Sequence, residues 1–291
     1  TTNGEAGASC KGLASEDVTA DTKKCVPAST WQGSNISSDS RGVNFTFTGS
    51  ETISNSPNSP DYTQDLRINL PGTFNVYNTL AAVILVAGIM EIPTKTVTAH
   101  LEKLLPVKGR MTRIEKGQPF EVLVDYAHTP SSFRTIFPPL RKQLDKENGN
   151  KGRLMCLFGS GGERDVKKRP EQGQIAAQYC DVVLLCDEDP RKEEPIDVVE
   201  DIAVGCEDSK TAILRKQTIS GSDSIKRDET LFLITDRATA IRKMFSIAQP
   251  GDILLLLGKA HENSIMYKEY DMPYDEITEA KTALTEMGYK K

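Results

Sequence analysis

The stretch RLMCLFGSGGERDVKKRPEQGQIAAQYCDVVLLC, residues 153–186, decides the fold. It places two continuous apolar runs on either side of a glycine-containing polar loop and a helical segment. Continuous apolar runs are typical of strands buried on both faces, and the order strand, helix, strand predicts parallel pairing. Three similar runs lie outside this stretch. We therefore predict strands over residues 121–124, 153–158, 182–186, 231–235 and 253–257.

Polar segments with helical character separate the apolar runs. Four predicted helices begin near Pro130, Lys168, Pro195 and Asp236, and a last one covers residues 275–287. This alternation predicts an α/β fold with a Rossmann-like, doubly wound, mostly parallel sheet. We expect residues 108–291 to form that domain.

The first third of the chain, residues 1–107, has a different pattern. Residues 1–63 are rich in Ser, Thr, Asn and Gly and predict a loop-rich start, with one hairpin whose turn is 39–42. Residues 64–70 predict a further strand. Residues 75–90 predict a helix that is apolar on nearly all sides, as in a helix buried within a domain. A second helix is expected over 94–105, stopping at Pro106.

Composition and charge exclude several classes of function. The chain has 36 Lys and Arg against 41 Asp and Glu, a net charge of -5, which gives no basic surface for nucleic acid or an anionic membrane. Six widely spaced cysteines without a CxxC pair predict reduced thiols rather than a metal site. The start has no signal-peptide pattern, and the longest apolar run is about half of the roughly 20 residues that a membrane span needs. We therefore expect a cytoplasmic protein that acts on small molecules.

Charged and polar residues follow four of the predicted strands directly. The four loops are Asp-Tyr-Ala-His at 125–128, Gly-Ser-Gly-Gly-Glu-Arg-Asp at 159–165, Asp-Glu-Asp-Pro-Arg at 187–191 and Gly-Lys-Ala-His-Glu at 258–262. In an open parallel sheet, ligands bind at the carboxyl ends of the strands. Solvated loop residues would explain any one of these loops, but four together predict a binding site on one rim.

Single residues of these loops leave alternatives open. The glycines at 159–162 match neither the Walker A nor the dinucleotide pattern. His128 could cap the next helix or contact a ligand, and His261 is equally ambiguous. A guanidinium at Arg164 or Arg191 suits a carboxylate or phosphate, but either residue could form a surface salt bridge with Glu163 or Glu193.

Lys167, Lys168 and Arg169 open a predicted helix. The helix dipole disfavours cations at this end. We therefore expect an anionic group close to these three residues.

The sequence resembles the Mur ligase family, in particular its members that add a diamino acid to a UDP-linked muramoyl dipeptide. The matching stretches follow the family order over about residues 64–288. They are Gly72-Thr-Phe-Asn-Val-Tyr-Asn78, Gly109-Arg-Met111, Asp125-Tyr-Ala-His-Thr-Pro130, Phe158-Gly-Ser-Gly-Gly-Glu-Arg-Asp165, Lys168-Arg-Pro170, Asp187-Glu-Asp-Pro-Arg191, Glu194-Pro195, Asp236-Arg237 and Gly258-Lys-Ala-His-Glu262.

The resemblance implies a ligase that uses ATP and magnesium in peptidoglycan synthesis. Such an enzyme phosphorylates a carboxylate of UDP-N-acetylmuramoyl-L-alanyl-D-glutamate, and the amine of a diamino acid then attacks the acyl phosphate. Residues 1–107 would be the end of the central ATPase domain, and residues 108–291 the amino-acid-binding domain. The resemblance also implies that the enzyme is a monomer.

The same likeness implies roles for individual residues. The nucleotide would contact Asn75, Asn78, Arg110, Asp125 and His128. The incoming amino acid would contact Arg164, Asp189, Arg191, Gly258 and Glu262, with Lys168 and Lys259 close to the phosphates. Arg191 would bind the distal carboxylate and Glu262 the distal amine, which favours meso-diaminopimelate over lysine.

Two positions depart from the diaminopimelate type of the family. Asp189 stands where asparagine is usual, and Ala260 where glycine is usual. A carboxylate at 189 would repel the distal carboxylate of the ligand, or neutralise Arg191, unless it accepts from an amine.

The chain also contains no G-x-x-x-x-G-K-[S/T] motif, and Thr2-Asn3-Gly4 is followed by Glu5 instead of lysine. We expect the phosphate loop, the magnesium ligands, the modified lysine and the UDP-binding domain to precede residue 1. No catalytic residue and no metal ligand is then expected within the chain, and by itself it should not ligate.

Two other functions are compatible with parts of the sequence. A Mur-ligase-like scaffold without catalytic activity would not need Arg164, Arg191, Lys259 and Glu262. Folylpolyglutamate synthase and cyanophycin synthetase share the fold, but neither is expected to combine the 187–191 and 258–262 stretches.

Overall fold

The computed structural model describes residues 8–10, 31–39, 41–51, 61–105, 107–146, 152–208, 216–218 and 230–290. The chain forms two compact units, Thr1–Pro106 and Val107–Lys291.

The first unit contains an antiparallel sheet of four strands in sequential order. The strands are β1 (Ala8–Cys10), β2 (Trp31–Ser38), β3 (Val43–Ser50) and β4 (Asp61–Ile68). Two helices follow, α1 (Phe74–Met90) and α2 (Thr94–Thr98). The sequence-based predictions of the hairpin and of a strand after residue 63 are confirmed, although β4 begins three residues earlier than expected.

Side-chain alternation explains how this sheet buries one face. Phe45 and Phe47 of β3 are buried and pack with Val76 and Leu80 of α1, while Thr46 between them is more exposed. The turn before β3 is closed by Asp39, whose carboxylate accepts from two backbone N–H groups at 2.7 and 2.9 Å. An Asp at this position favours such a turn because its side chain bonds locally.

Two predictions for the helices of this unit are wrong. Helix α1 is not buried all round in the described structure: Leu85 is 60% and Ile89 79% exposed. The reason is that one sheet covers only one stripe of a helix. The helix predicted over 94–105 breaks into α2 and a 3₁₀ turn, Leu101–Lys103. Three threonines within five residues of α2 lose rotamer freedom in a helix, which lowers its propensity.

The second unit is built on a seven-stranded sheet. Its strands are β5 (Thr112–Arg113), β6 (Glu121–Asp125), β7 (Leu154–Phe158), β8 (Val182–Leu185), β9 (Lys216–Thr218), β10 (Leu231–Leu233) and β11 (Ile253–Leu257). Its helices are α3 (Pro130–Lys146), α4 (Lys168–Tyr179), α5 (Pro195–Glu207), α6 (Arg237–Ile247) and α7 (Glu276–Glu286). A two-stranded ribbon, β12 (Ser264–Met266) and β13 (Asp271–Pro273), precedes α7.

The strand order is β5-β6-β11-β7-β8-β10-β9, and all pairs except β5 with β6 are parallel. Helices α3, α4 and α5 cover one face of the sheet, and α6 and α7 cover the other. Strands β7, β8 and β11 are buried along their whole length, as continuous apolar runs require. The predicted doubly wound, mostly parallel fold is confirmed.

Four of the six cysteines lie in this unit, and all four are buried and free: Cys156, Cys180, Cys186 and Cys206. Burial raises the pKa of the Cys206 thiol to about 12, so it stays protonated. Within the described part of the chain, no helix is both long and apolar enough to cross a bilayer.

Candidate functional site

The carboxyl ends of four neighbouring strands, β6, β11, β7 and β8, form one edge of the second unit. The four polar loops predicted to carry the site follow these strands. Backbone hydrogen bonds join the loops in pairs: Gly258 N–H donates to Asp125 O at 3.1 Å, and Gly162 N–H to Asp189 O at 2.7 Å. The sheet topology therefore brings all four loops to one rim, named here the ligand rim.

A buried ion pair lies at the centre of the ligand rim. The Lys259 ammonium is 2.8 Å from an Asp189 oxygen and 2.6 Å from a Glu262 oxygen. Lys259 is 1% and Asp189 7% exposed. The same Asp189 oxygen accepts from Met266 N–H at 2.8 Å. The charge of Asp189 is thus balanced by lysine, and its orientation is fixed by a backbone bond.

The Arg191 guanidinium is not neutralised by Asp189. It donates to Gly162 O at 3.3 Å and bonds to no carboxylate among the residues that the structure describes. Its backbone is held in a left-handed conformation, φ 54°, and its N–H donates to Met266 O at 2.9 Å. The half-buried arginine is therefore held by its backbone while its charge is left for another anion.

The two glutamates that could have paired with Arg164 or Arg191 in surface salt bridges pair with other cations. Glu163 lies 3.5 Å from Lys192, and Glu193 lies 2.7 Å from Arg169. Arg164 is exposed and makes no ion pair within the described residues. Neither Arg164 nor Arg191, the two arginines predicted to bind ligand, forms an ion pair with Glu163 or Glu193.

The contacts of Arg169 explain in part why cationic residues stand at the amino end of α4. Its buried guanidinium pairs with Glu193 and, at 2.9 Å, with Asp201. Lys168, beside it, donates to the backbone oxygen of His128 at 3.1 Å. The anionic partners of Arg169 are therefore carboxylates of the protein itself, whereas the one hydrogen bond of Lys168 within the described residues goes to a neutral carbonyl.

Two carboxylates of this edge were not among the predicted site residues. Asp187 accepts from Tyr267 Oη at 2.8 Å, and its burial raises the pKa to about 6. Glu188 has a buried oxygen, Oε2, that accepts no hydrogen bond from any described residue. In the sequence, only their position between a buried strand and Asp189 indicated that they belong to the site. The structure adds them to the ligand rim.

Glu188 is expected to make the stability of the second unit fall as pH rises from about 4.5 to about 7. Burial raises its pKa to about 7, Lys168, Arg237 and Lys259 offset part of this effect, and Asp189 adds to it. In this window the folded state binds more protons than the unfolded chain, so the free energy of unfolding decreases with pH.

Glu188→Gln should remove that decrease, about 3 kcal/mol. Urea unfolding of both proteins across this pH range measures the difference. Parallel curves for the variant and the wild type would contradict the assignment.

The residues predicted to contact the nucleotide in the second unit are also close together. The Arg110 guanidinium lies over the Tyr126 ring at 5.1 Å, and the tilted rings of His128 and His261 pack against the same ring with centroid distances of 4.7 and 4.5 Å. Asp125 is buried and accepts from the N–H groups of Met111 at 2.8 Å and Ala127 at 2.8 Å. Burial outweighs these bonds and raises its pKa.

His128 does not cap α3. Its ring bonds to Tyr126 O at 2.8 Å, while the Thr129 hydroxyl accepts from Ser132 N–H at 3.2 Å in the first turn. Thr129 therefore supplies the cap. Contact of His128 with a ligand remains a prediction.

Gly159 and Gly162 allow the loops after β7 and β8 to approach each other closely. A Cβ at Gly162 would lie 1.9 Å from Pro190 O, and one at Gly159 would lie 2.2 Å from Cys186 O. Side chains at these positions would push the loops after β7 and β8 apart. This packing explains the two glycines without a phosphate.

Asn75 and Asn78 lie in the first unit, in the first turns of α1. Asn75 donates to Pro71 O at 2.7 Å, and Asn78 donates to Asn75 at 3.0 Å. Their predicted contact with adenine stays a prediction. Among the described residues, no three His, Cys, Asp or Glu side chains converge as a metal site.

Comparison with known proteins adds independent information. Residues 109–260 match the family model described as Mur ligase, glutamate ligase domain. A UDP-N-acetylmuramyl-tripeptide synthetase of Treponema denticola is 47% identical over 249 residues, 86% of this chain and 42% of the relative. A UDP-N-acetylmuramoyl-L-alanyl-D-glutamate--2,6-diaminopimelate ligase of Caldanaerobacter subterraneus is 34% identical over 226 residues, 78% of this chain and 42% of the relative.

A solved structure also matches. It is a UDP-N-acetylmuramoyl-L-alanyl-D-glutamate--2,6-diaminopimelate ligase with a TM-score of 0.53 and 26% identity, covering 89% of this chain and 46% of that chain. The chain thus spans less than half the length of the curated relatives described above.

Proposed function

Because the chain belongs to the Mur ligase family, we propose that it supplies the amino-acid-binding part of an ATP-dependent, ADP-forming ligase. The amino acid is meso-diaminopimelate, and the acceptor is UDP-N-acetylmuramoyl-L-alanyl-D-glutamate. Residues 108–291 would bind the amino acid, and residues 1–107 would belong to the ATP-binding domain. The names of the relatives support the reaction.

The pairing of Asp189 with Lys259 is the observation that carries the choice of amino acid. An unpaired Asp189 would repel the distal carboxylate of diaminopimelate or take up the charge of Arg191. Lys259 balances that charge at 2.8 Å, and Arg191 is left without a carboxylate partner in the described structure. A guanidinium in this state binds a carboxylate by charge-assisted hydrogen bonds.

Glu262 would bind the distal ammonium group of the ligand. Its carboxylate is already within 2.6 Å of Lys259, and its side chain is 33% exposed, so it is accessible and held in place. Diaminopimelate carries both an ammonium and a carboxylate at its distal end, which match Glu262 and Arg191. Lysine carries the ammonium alone and would leave Arg191 unpaired.

The nucleotide would bind beside this pocket. Arg110, Asp125 and His128 would contact the ribose of ATP, with Asn75 and Asn78 near the adenine. Lys168 and Lys259 would lie close to the phosphates, where positive charge offsets the charge that develops during transfer. Magnesium would be bound chiefly by the phosphates and by residues outside this set.

Calorimetric titration of the chain tests the proposal. We expect meso-diaminopimelate to bind at least about tenfold more tightly than lysine, since one charge-assisted contact contributes roughly 1.5–3 kcal/mol. 2-Aminopimelate, which keeps both carboxylates and the α-amine but lacks the distal amine, is the matched control for Glu262 and should bind more weakly than diaminopimelate. Equal affinity for lysine and diaminopimelate would overturn the assignment of the amino acid.

A further inference from the structure

Arg237 lies beneath the ligand rim and belongs to none of the binding sets described above. It is the first residue of α6 and is 1% exposed. A cation at the amino end of a helix is disfavoured by the helix dipole, and a buried charge is costly unless it is paired and hydrogen-bonded. Because both the helix dipole and burial disfavour this charge, its presence indicates that Arg237 has a specific role.

The guanidinium connects two loops of the rim. Its Nη1 donates to Asp187 O at 3.1 Å, and its Nη2 donates to Leu257 O at 2.7 Å. These carbonyls lie at the ends of β8 and β11, which are separated in the sheet by β7. Strands separated by one neighbour are about 10 Å apart and share no ladder bonds. Arg237 therefore supplies a link that the sheet itself does not provide.

The residues that follow these two carbonyls form the central ion pair. Asp189 comes two residues after Asp187, and Lys259 two residues after Leu257. The 2.8 Å contact between Asp189 and Lys259 thus depends on where the two strand ends are held. Arg237 holds both of them from below.

Arg237 is itself fixed by a bidentate pair. Its Nε and Nη2 donate to the two oxygens of Glu276 at 2.9 and 2.6 Å, and Tyr274 Oη donates to the same carboxylate at 2.5 Å. Glu276 is 1% exposed. Replacing a buried ion pair by apolar residues is often neutral for stability, so stability alone does not account for the pair.

We propose that Arg237 is a positioning residue that sets the distance between the Asp187–Asp189 and Gly258–Lys259 segments and thereby the affinity for the incoming amino acid. The proposal rests on the proposed function for its kinetic part. Its structural part concerns the chain alone and can be tested without any ligand.

The first test is hydrogen exchange on the chain. Met266 N–H donates to Asp189, so its protection reports where the Asp189 carboxylate lies. In Arg237→Lys, which keeps the charge but cannot reach both carbonyls and Glu276 together, we expect exchange of this amide to accelerate by roughly tenfold or more. Amides within β11 should keep their protection. Unchanged exchange at Met266 would overturn the proposal, whatever the enzyme does.

A second variant separates positioning from stability. Arg237→Met combined with Glu276→Leu removes the pair without stranding a charge, so the protein should be destabilised less than by Arg237→Met alone, which leaves Glu276 buried and unpaired. The exchange of Met266 should still accelerate. If the double variant exchanges like the wild type, the role of Arg237 is only structural and the proposal is wrong.

The kinetic test uses the full-length ligase that contains this chain. Both variants should raise the KM for the diamino acid by roughly ten- to a hundredfold, and more than they raise the KM for ATP, because a small misplacement of the binding groups weakens binding. Arg153→Met is the matched control, since Arg153 forms an ion pair with buried Asp252 at the opposite edge of the sheet, 2.7 Å apart. It should lower stability and leave the KM unchanged.

The outcomes distinguish the two proposals. Faster exchange together with a raised KM supports the role of Arg237. A wild-type ligase that accepts no diamino acid would refute the proposed function while the exchange result still decides whether Arg237 positions the rim. A variant with an unchanged KM overturns the inference.

Discussion

Replacing Arg191 by alanine is expected to lower the preference of the full-length ligase for meso-diaminopimelate over lysine by roughly ten- to a hundredfold. Arg191 is the half-buried arginine of the rim that bonds to no described carboxylate. Its partner is then the distal carboxylate, which lysine lacks. Lysine gains nothing from the guanidinium, so the rate with lysine should change little.

The measurement is the ratio of kcat/KM for the two amino acids in the wild type and in Arg191→Ala. Lys192→Ala is the matched control, because Lys192 is the neighbouring cation, is 72% exposed and pairs with Glu163 at 3.5 Å. It should leave the ratio unchanged. Preference for lysine in the wild type, or an equal change in both variants, would contradict the assignment of Arg191.

Gly205→Ala is expected to destabilise the second unit by about 2 kcal/mol despite the higher helix propensity of alanine. A Cβ at Gly205 would lie 1.8 Å from Pro170 O, and one at Gly173 would lie 2.1 Å from Ile202 O. The two glycines thus face the backbone of the opposite helix, where α4 and α5 pack closely. Alanine contributes at most about 1 kcal/mol through propensity, while separating two packed helices costs more.

Thermal unfolding checks this expectation. A loss of about 2 kcal/mol in a unit of this size should lower Tm by roughly 4–8 °C. Gly161→Ala is the control, since its Cβ would meet only the flexible side chain of Arg164, at 3.3 Å. A Gly205 variant as stable as the Gly161 variant would show that the helices separate without cost.

The strands of the second unit could be predicted because they are continuous apolar runs. The runs around β7, β8 and β11 have no plausible location other than a sheet covered on both faces. The strands β5, β9, β12 and β13 were missed, because two or three residues carry no periodicity. Their formation depends on neighbours that the sequence does not specify locally.

The site could be predicted as a set of loops but not as a set of contacts. Strand order alone places Asp125 and Glu262 on one edge. The pairing of Asp189 with Lys259 joins residues 70 positions apart, so no spacing in the sequence reveals it. Arg237 had one usable signal, a cation directly after the Asp236 cap, where a free positive charge is unfavourable.

The separation between buried strands and polar loops also bears on how such a protein can evolve. The strands end in fully buried residues, and the residues that would choose the ligand, such as Asp189 and Arg191, begin only beyond them. A lineage could exchange a half-buried loop residue such as Arg191 while the apolar interior stays unaltered, because loop substitutions away from packed positions cost little stability, whereas Asp189 could change only together with its buried partner Lys259. New amino-acid preferences are then accessible through one or two replacements. Descent with altered substrate and conserved architecture is the expected history of such a scaffold.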